Sequence, residues 1–255
     1  MGWVECGRFL PEVPMTGLFA VLDQGEAWLR GTGRGGWRAG LCLQRAKVLD
    51  ELGRLQEAVG FAEEALALEE RQPNAPGFTL ATYRWSLGDL LRKVGRVEDA
   101  EVQYGRVLDA PAGSVHSRFS GLEGLARCAL DRGALVEAQA HAAGAVREAE
   151  GLGSNILCSA LHCLVAAHRR AGDRAAARAA ATRHLGLARS LGTSDLYYAV
   201  RDAADVALDD GDRSEAETLL AELEPYARAL DESRGVTTFA SALAQQRQRL
   251  PTAAP

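Results

Sequence analysis

The chain has 255 residues, of which 47% are hydrophobic and 25% charged, a balance that supplies a core and argues against wholesale disorder. Its formal net charge of -5 has the wrong sign for a surface that grips nucleic-acid phosphates as a whole. No stretch reaches the roughly 18 consecutive apolar residues of a membrane span. The N-terminal MGWVECGRFL has no basic region followed by an apolar core. Cys6, Cys42, Cys128, Cys158 and Cys163 are odd in number and mostly lie in apolar helical runs, so free thiols in a reducing cytoplasm are expected.

The first periodic segment, residues 15–30, places Met15, Leu18, Phe19, Leu22 and Leu29 on one helical face and reads as an N-terminal capping helix. GTGRGG at 31–36 formally satisfies G-x-G-x-x-G, but a dinucleotide site needs a strand before it. The run before it here is helical, so it reads as a linker.

From residue 38 one pattern recurs: a glycine with an alanine five places later. The pairs are Gly53/Ala58, Gly95/Ala100, Gly133/Ala138, Gly172/Ala177 and Gly211/Ala216, and the glycines are spaced 42, 38, 39 and 39 residues apart. Apolar residues flanking them follow helical periodicity, as Leu41, Val48, Leu49 and Leu52 do before Gly53 and Leu55, Val59, Ala62 and Leu66 after it. Each unit therefore reads as a helical hairpin, with glycine ending the first helix in a left-handed conformation. The alanine then lets two antiparallel helices approach closely. RQPNAPG (71–77), the APAGS stretch, GLGS (151–154) and LGTS (191–194) supply the Gly, Pro and Ser that separate hairpins. Residues 235–250, with Phe239, Leu243 and Leu250, read as a C-terminal cap, and PTAAP as a frayed tail.

The series resembles the tetratricopeptide repeat family. The second copy carries Leu87, Gly88, Leu91, Gly95, Ala100 and Tyr104 at that family's Leu, Gly, Tyr/Leu, Gly, Ala and aromatic positions. The first departs with Arg45 where leucine is expected, and the fourth puts His168 and His184 at usually apolar or small sites. The spacing exceeds the usual 34 residues and looks like the extended variant, about 40 residues long, in sensor regions of STAND-class and antibiotic-pathway bacterial regulators. The resemblance implies an all-α, right-handed α-solenoid of about five hairpins. The expected segments are 1–37 (N-terminal segment and cap), 38–230 (solenoid) and 231–255 (C-terminal cap and tail).

It also implies a concave groove lined by the first helix of each hairpin. Carried onto this chain, the groove positions are Lys47 and Asp50; Thr82, Trp85, Asp89 and Arg92; Ser120, Glu123 and Arg127; Ser159, His162 and Arg169; Tyr198, Arg201 and Asp205. Arg92, Arg127, Arg169 and Arg201 would offer forked donors to carboxylates of an extended peptide, and Trp85 and Tyr198 rigid apolar area. Charge reversal of Arg127 and Arg169 is accordingly expected to abolish binding without lowering the melting temperature. The Lys/Asn pattern of chaperone-tail clamps is not reproduced, since Leu43 and Lys47 occupy the relevant first-copy sites.

Cys158, His162, Cys163 and His168 are the one cluster of candidate metal ligands, but they point around a single helix that cannot close a tetrahedral shell. The five histidines accompany no nucleophile elbow, H-E-x-x-H or P-loop. The expected function is a non-catalytic adaptor, without cofactor or metal, that binds a protein or peptide segment, acidic ones included, and does not contact nucleic acid or membrane. The alternative is a sensor module whose peptide or small ligand controls an associated transcription factor.

Overall fold

A chain that reverses between two antiparallel helices needs one residue at positive φ, which glycine adopts without steric cost. In the computed structural model, which describes residues 15–32, 37–72, 76–109, 115–191, 193–234 and 238–249, all five repeat glycines do this. Their φ angles are 72° at Gly53, 83° at Gly95, 75° at Gly133, 74° at Gly172 and 76° at Gly211. After each glycine the next amide donates to the carbonyl five residues back, as Arg54 does to Leu49 and Asp212 to Ala207, both at 2.9 Å. That bond closes the first helix in a Schellman motif. In the last two turns the following aspartate also caps the second helix, Asp173 Oδ1 accepting from the Ala176 amide at 3.2 Å and Asp212 Oδ1 from that of Glu215 at 3.0 Å.

Every element among the described residues is a helix. In order they are α1 (Met15–Thr32), α2 (Arg38–Glu51), α3 (Leu55–Glu70), α4 (Gly77–Lys93), α5 (Val97–Leu108), α6 (Val115–Arg132), α7 (Leu135–Ala149), α8 (Ser154–Ala171), α9 (Arg174–Ala188), α10 (Thr193–Asp210), α11 (Arg213–Arg234) and α12 (Thr238–Gln248). The glycine turns join α2 to α3, α4 to α5, α6 to α7, α8 to α9 and α10 to α11, so the expected all-α repeat is found. Each repeat alanine donates the first backbone bond of its helix, Ala100 to Arg96 at 3.1 Å for example. The five alanines are all 0–1% exposed.

The chain divides into two compact units, one through Cys128 and one from Ala129, with the boundary inside α6. The first unit is centred on Leu43, Leu49, Leu66, Leu87, Leu91 and Tyr104, with Phe19 of α1 packed against them. The α1 helix also explains Arg45 at its leucine-like position. The guanidinium reaches Asp23 and Glu26 of α1 at 2.5 and 3.6 Å and lies 5.3 Å from the centre of the Phe61 ring. A leucine there would meet the charged face of a capping helix instead of another repeat.

The second unit packs Tyr197, Val200, Ala204, Leu220 and Leu223 against Phe239 and Leu243 of α12. Buried Asp231 of α11 holds α12 in place by accepting the amides of Phe239 at 3.0 Å and Ala240 at 2.8 Å. That caps a helix start with charge of the favourable sign. The α11 helix runs through Pro225 to Arg234, past the expected end of the repeats at 230. Cys6, residues 33–36 of the glycine-rich segment, the side chain of Met15, Leu250 and the PTAAP tail lie outside the described residues.

Candidate partner-binding faces

Most of the charges on the first helices of the hairpins are neutralised within the chain. In the first unit Lys93 of α4 bridges Asp50 of α2 at 2.7 Å and Asp89 of its own helix at 2.8 Å. Asp89 also meets Arg92 at 3.5 Å and Arg127 of α6 at 3.9 Å. Burial alone would raise the Asp89 carboxyl; Lys93, Arg127 and Arg92 more than offset this and hold it below the ordinary range. Arg127 donates to Glu123 at 2.8 Å. Glu123, expected to line the groove, is only 2% exposed, so it anchors Arg127 from within rather than meeting a ligand. Lys47 is exposed, and Trp85 is half-buried with its ring packed on the first core.

In the second unit Arg169 of α8 donates to Asp205 at 2.8 Å and Asp209 at 2.7 Å, both on α10. Arg249, beyond the end of α12, pairs with the same two aspartates. One turn away, Asp202 of α10 turns inward, 3% exposed, between two histidines. His162 Nδ1 lies 2.9 and 2.8 Å from its two oxygens and His184 Nδ1, on α9, 3.0 Å from Oδ2. Burial alone would raise this carboxyl, but His162 and then His184 hold it down to about 2. An ionised Asp202 only accepts, so both Nδ1 atoms carry a proton and each Nε2 is the ring's other edge. The Nε2 of His162 faces the Nη2 of Arg201 at 3.5 Å. Arg201 lies 5.1 Å from the centre of the Tyr198 ring, which is itself 5.7 Å from the His162 ring.

The structure thus joins His162, Tyr198 and Arg201 in one cluster and Arg169 with Asp205 in another. It places Trp85, Asp89, Arg92, Arg127 and Lys47 in the other unit. Sequence reasoning missed Lys93, His184, Asp202, Asp209 and Arg249. His184 carried a signal: a histidine at a position that elsewhere takes a small apolar residue needs a buried polar partner, and Asp202 is that partner. The cluster of possible metal ligands is not assembled. Cys158 packs with Ala188 and Ala199, His162 turns to Asp202, and His168 Nδ1 lies 3.1 Å from the Gln139 amide nitrogen. Among the described residues no three His, Cys, Asp or Glu side chains are grouped to hold a metal ion, and no helix is long and apolar enough to cross a membrane.

No protein-family model matches the sequence, and no curated protein matches it. Solved structures do match in fold. The crystal structure of BtubC (BKLC) from P. vanneervenii superposes with a TM-score of 0.66 at 16% identity, covering 87% of this chain and 92% of that one. The apo form of RapI gives 0.69 at 12% identity, over 92% of this chain and 71% of its own. A putative kinesin light chain from Podosopora anserina with nearly identical TPR-like repeats gives 0.60 at 20% identity, over 77% and 97%. At these identities the likeness is one of architecture: the chain has the tetratricopeptide-like helical-repeat fold.

Proposed function

We propose, on the premise of that fold, that the chain is a non-catalytic scaffold that binds a protein or peptide segment along the first-helix faces of its hairpins. The observation that carries this reading is the setting of Trp85 and Tyr198. Each is a partly exposed aromatic on a first helix: Trp85 packs against the first core, and the Tyr198 ring lies 5.1 Å from the Arg201 guanidinium and 5.7 Å from the His162 ring. Rigid aromatic area at low ordering cost is what concentrates binding energy at protein interfaces. Helical-repeat neighbours such as the TPR-like kinesin light chain support the architecture of this reading. Cys42, Cys128, Cys158 and Cys163 are free and buried, in keeping with a reducing, cytoplasmic setting.

Selection of a displayed random peptide library on the whole chain, followed by photo-crosslinking and mass spectrometry, tests the reading. Crosslinks should fall on α2, α4, α6, α8 and α10, and Trp85→Ala or Tyr198→Ala should weaken binding by about tenfold or more, the mark of a hot spot. Crosslinks confined to α3, α5, α7, α9 and α11, or no saturable peptide, would refute it.

A further inference from the structure

The turn between α4 and α5 carries Arg96, whose guanidinium is divided between two second helices. Its Nε donates to Asp99 of α5 at 2.7 Å and its Nη1 to Glu63 of α3 at 3.3 Å. Arg96, α3, α4 and α5 together line a cleft of about 270 Å³, in which Leu66, Leu87 and Leu91 are the apolar wall. These three leucines belong to the buried first core and present a fixed surface. Pockets for drug-sized molecules run from roughly 300 to 1,000 Å³, so this cleft suits a smaller occupant, of the order of one amino-acid side chain.

Its polar lining consists mostly of acceptors. The charged residues in it are Glu63, Glu70 and Asp99 against Arg96. Arg84 of α4 meets Glu70 at 3.0 Å, while Glu63 and Asp99 share Arg96, which leaves one carboxylate charge in excess. Gln103 of α5 also lines the cleft, and its side-chain carbonyl oxygen is buried with no hydrogen-bond donor among the described residues. An acceptor buried in this way has given up water without replacement. A ligand that brings N–H groups and positive charge restores both balances at once.

We infer that this cleft binds a primary ammonium on a short alkyl chain. The chain lies along Leu66, Leu87 and Leu91, and the ammonium donates to Gln103 Oε1 and to the Glu63 and Asp99 carboxylates. A compact three-donor cation on an apolar stem has the matching chemistry. An anion would meet the carboxylate excess, and an apolar molecule without donors would leave Oε1 unpaired. The site belongs to the second helices and does not depend on the reading of the first-helix faces.

The test uses the full chain and n-butylammonium chloride. Binding is followed by NMR of the Gln103 side-chain amide in the parent and of the Val102 methyl groups in every variant. Both sets of signals should shift saturably. n-Butanol, which lacks the charge, and tetramethylammonium, which lacks N–H donors, should each bind weaker by about tenfold or more. Gln103→Met, which keeps the length and removes the carbonyl, should lose severalfold, and Glu63→Gln combined with Asp99→Asn should abolish saturation. Arg96→Gln frees both carboxylates and should tighten binding severalfold, a gain that damage to the fold cannot imitate. Glu217→Gln on α11 should behave as the parent. Equal binding of n-butylammonium and n-butanol, or weaker binding by Arg96→Gln, overturns the ammonium assignment; absence of any saturable shift overturns the site. Nα-acetyl-lysine N-methylamide separates the sources of the ammonium: affinity equal to that of n-butylammonium assigns the site to a lysine of a polypeptide, and binding by n-butylammonium alone assigns it to a free amine.

Discussion

Replacing Gly124 by alanine probes the tightest seam in the first unit. The Tyr104 side chain of α5 is 0% exposed, and a Cβ built on Gly124 of α6 falls 2.3 Å from its Cδ1 and Cε1 and 2.5 Å from its Cγ. Ordinary carbon contacts begin near 3.5 Å, so the ring would have to retreat by about 1 Å. It has nowhere to go, because a Cβ built at Gly88 of α4, on the same ring, already falls 2.9 Å from Cε1 and Cζ. Overpacking of this kind costs roughly 1–3 kcal/mol, and the confined ring puts it at the upper end. Alanine returns about 1 kcal/mol through helix propensity, leaving a net loss of about 2 kcal/mol, or about 4–8 °C in melting temperature for a chain of this size. Gly60→Ala, in α3 with open space at its Cβ, is the matched control and should stabilise by about 0.5–1 kcal/mol. Chemical denaturation of both variants, and of Gly124→Ala in a Tyr104→Leu background where the cost should vanish, measures the difference. A Gly124→Ala protein as stable as the parent would refute the wedged-ring account.

Ala100→Leu should overpack the α4–α5 hairpin, where the alanine is 0% exposed beside Leu87 and Leu91, and cost about 1–3 kcal/mol by thermal melting. Arg127→Glu does not isolate binding in the way the sequence suggests. It sets a second carboxylate against buried Glu123, 2.8 Å from the present guanidinium, and should destabilise by roughly 1–3 kcal/mol, with Arg127→Gln milder in the same melting assay. Asp202→Asn should flatten the acid limb of stability. Its carboxyl, held down to about 2 by His162 and His184 against the upward pull of burial, contributes stability above the ordinary carboxylate range that is lost as pH falls towards 2. The parent should therefore lose about 2 kcal/mol more than the variant between pH 5 and pH 2; parallel melting curves would contradict that role.

Local chemistry settled the architecture. A glycine that must adopt positive φ, a small residue five places on and helical periodicity between are each readable one residue at a time, and all five recur where the turns and seams stand. The α1 and α12 caps were legible for the same reason, since an amphipathic helix announces its buried face in its own spacing. The sequence also placed polar residues on the first helices, because side-chain direction follows from position in a helix. Tertiary structure alone decided which charges meet. Lys93 reaches Asp50 across 43 residues, His162 reaches Asp202 across 40 and Arg249 reaches Asp205 across 44, and nothing local distinguishes an arginine that finds a carboxylate on the neighbouring helix from one that does not. An ion pair depends on the last few ångströms of side-chain placement between hairpins, so four arginines equivalent in sequence become three neutralised and one, Arg201, left facing a histidine.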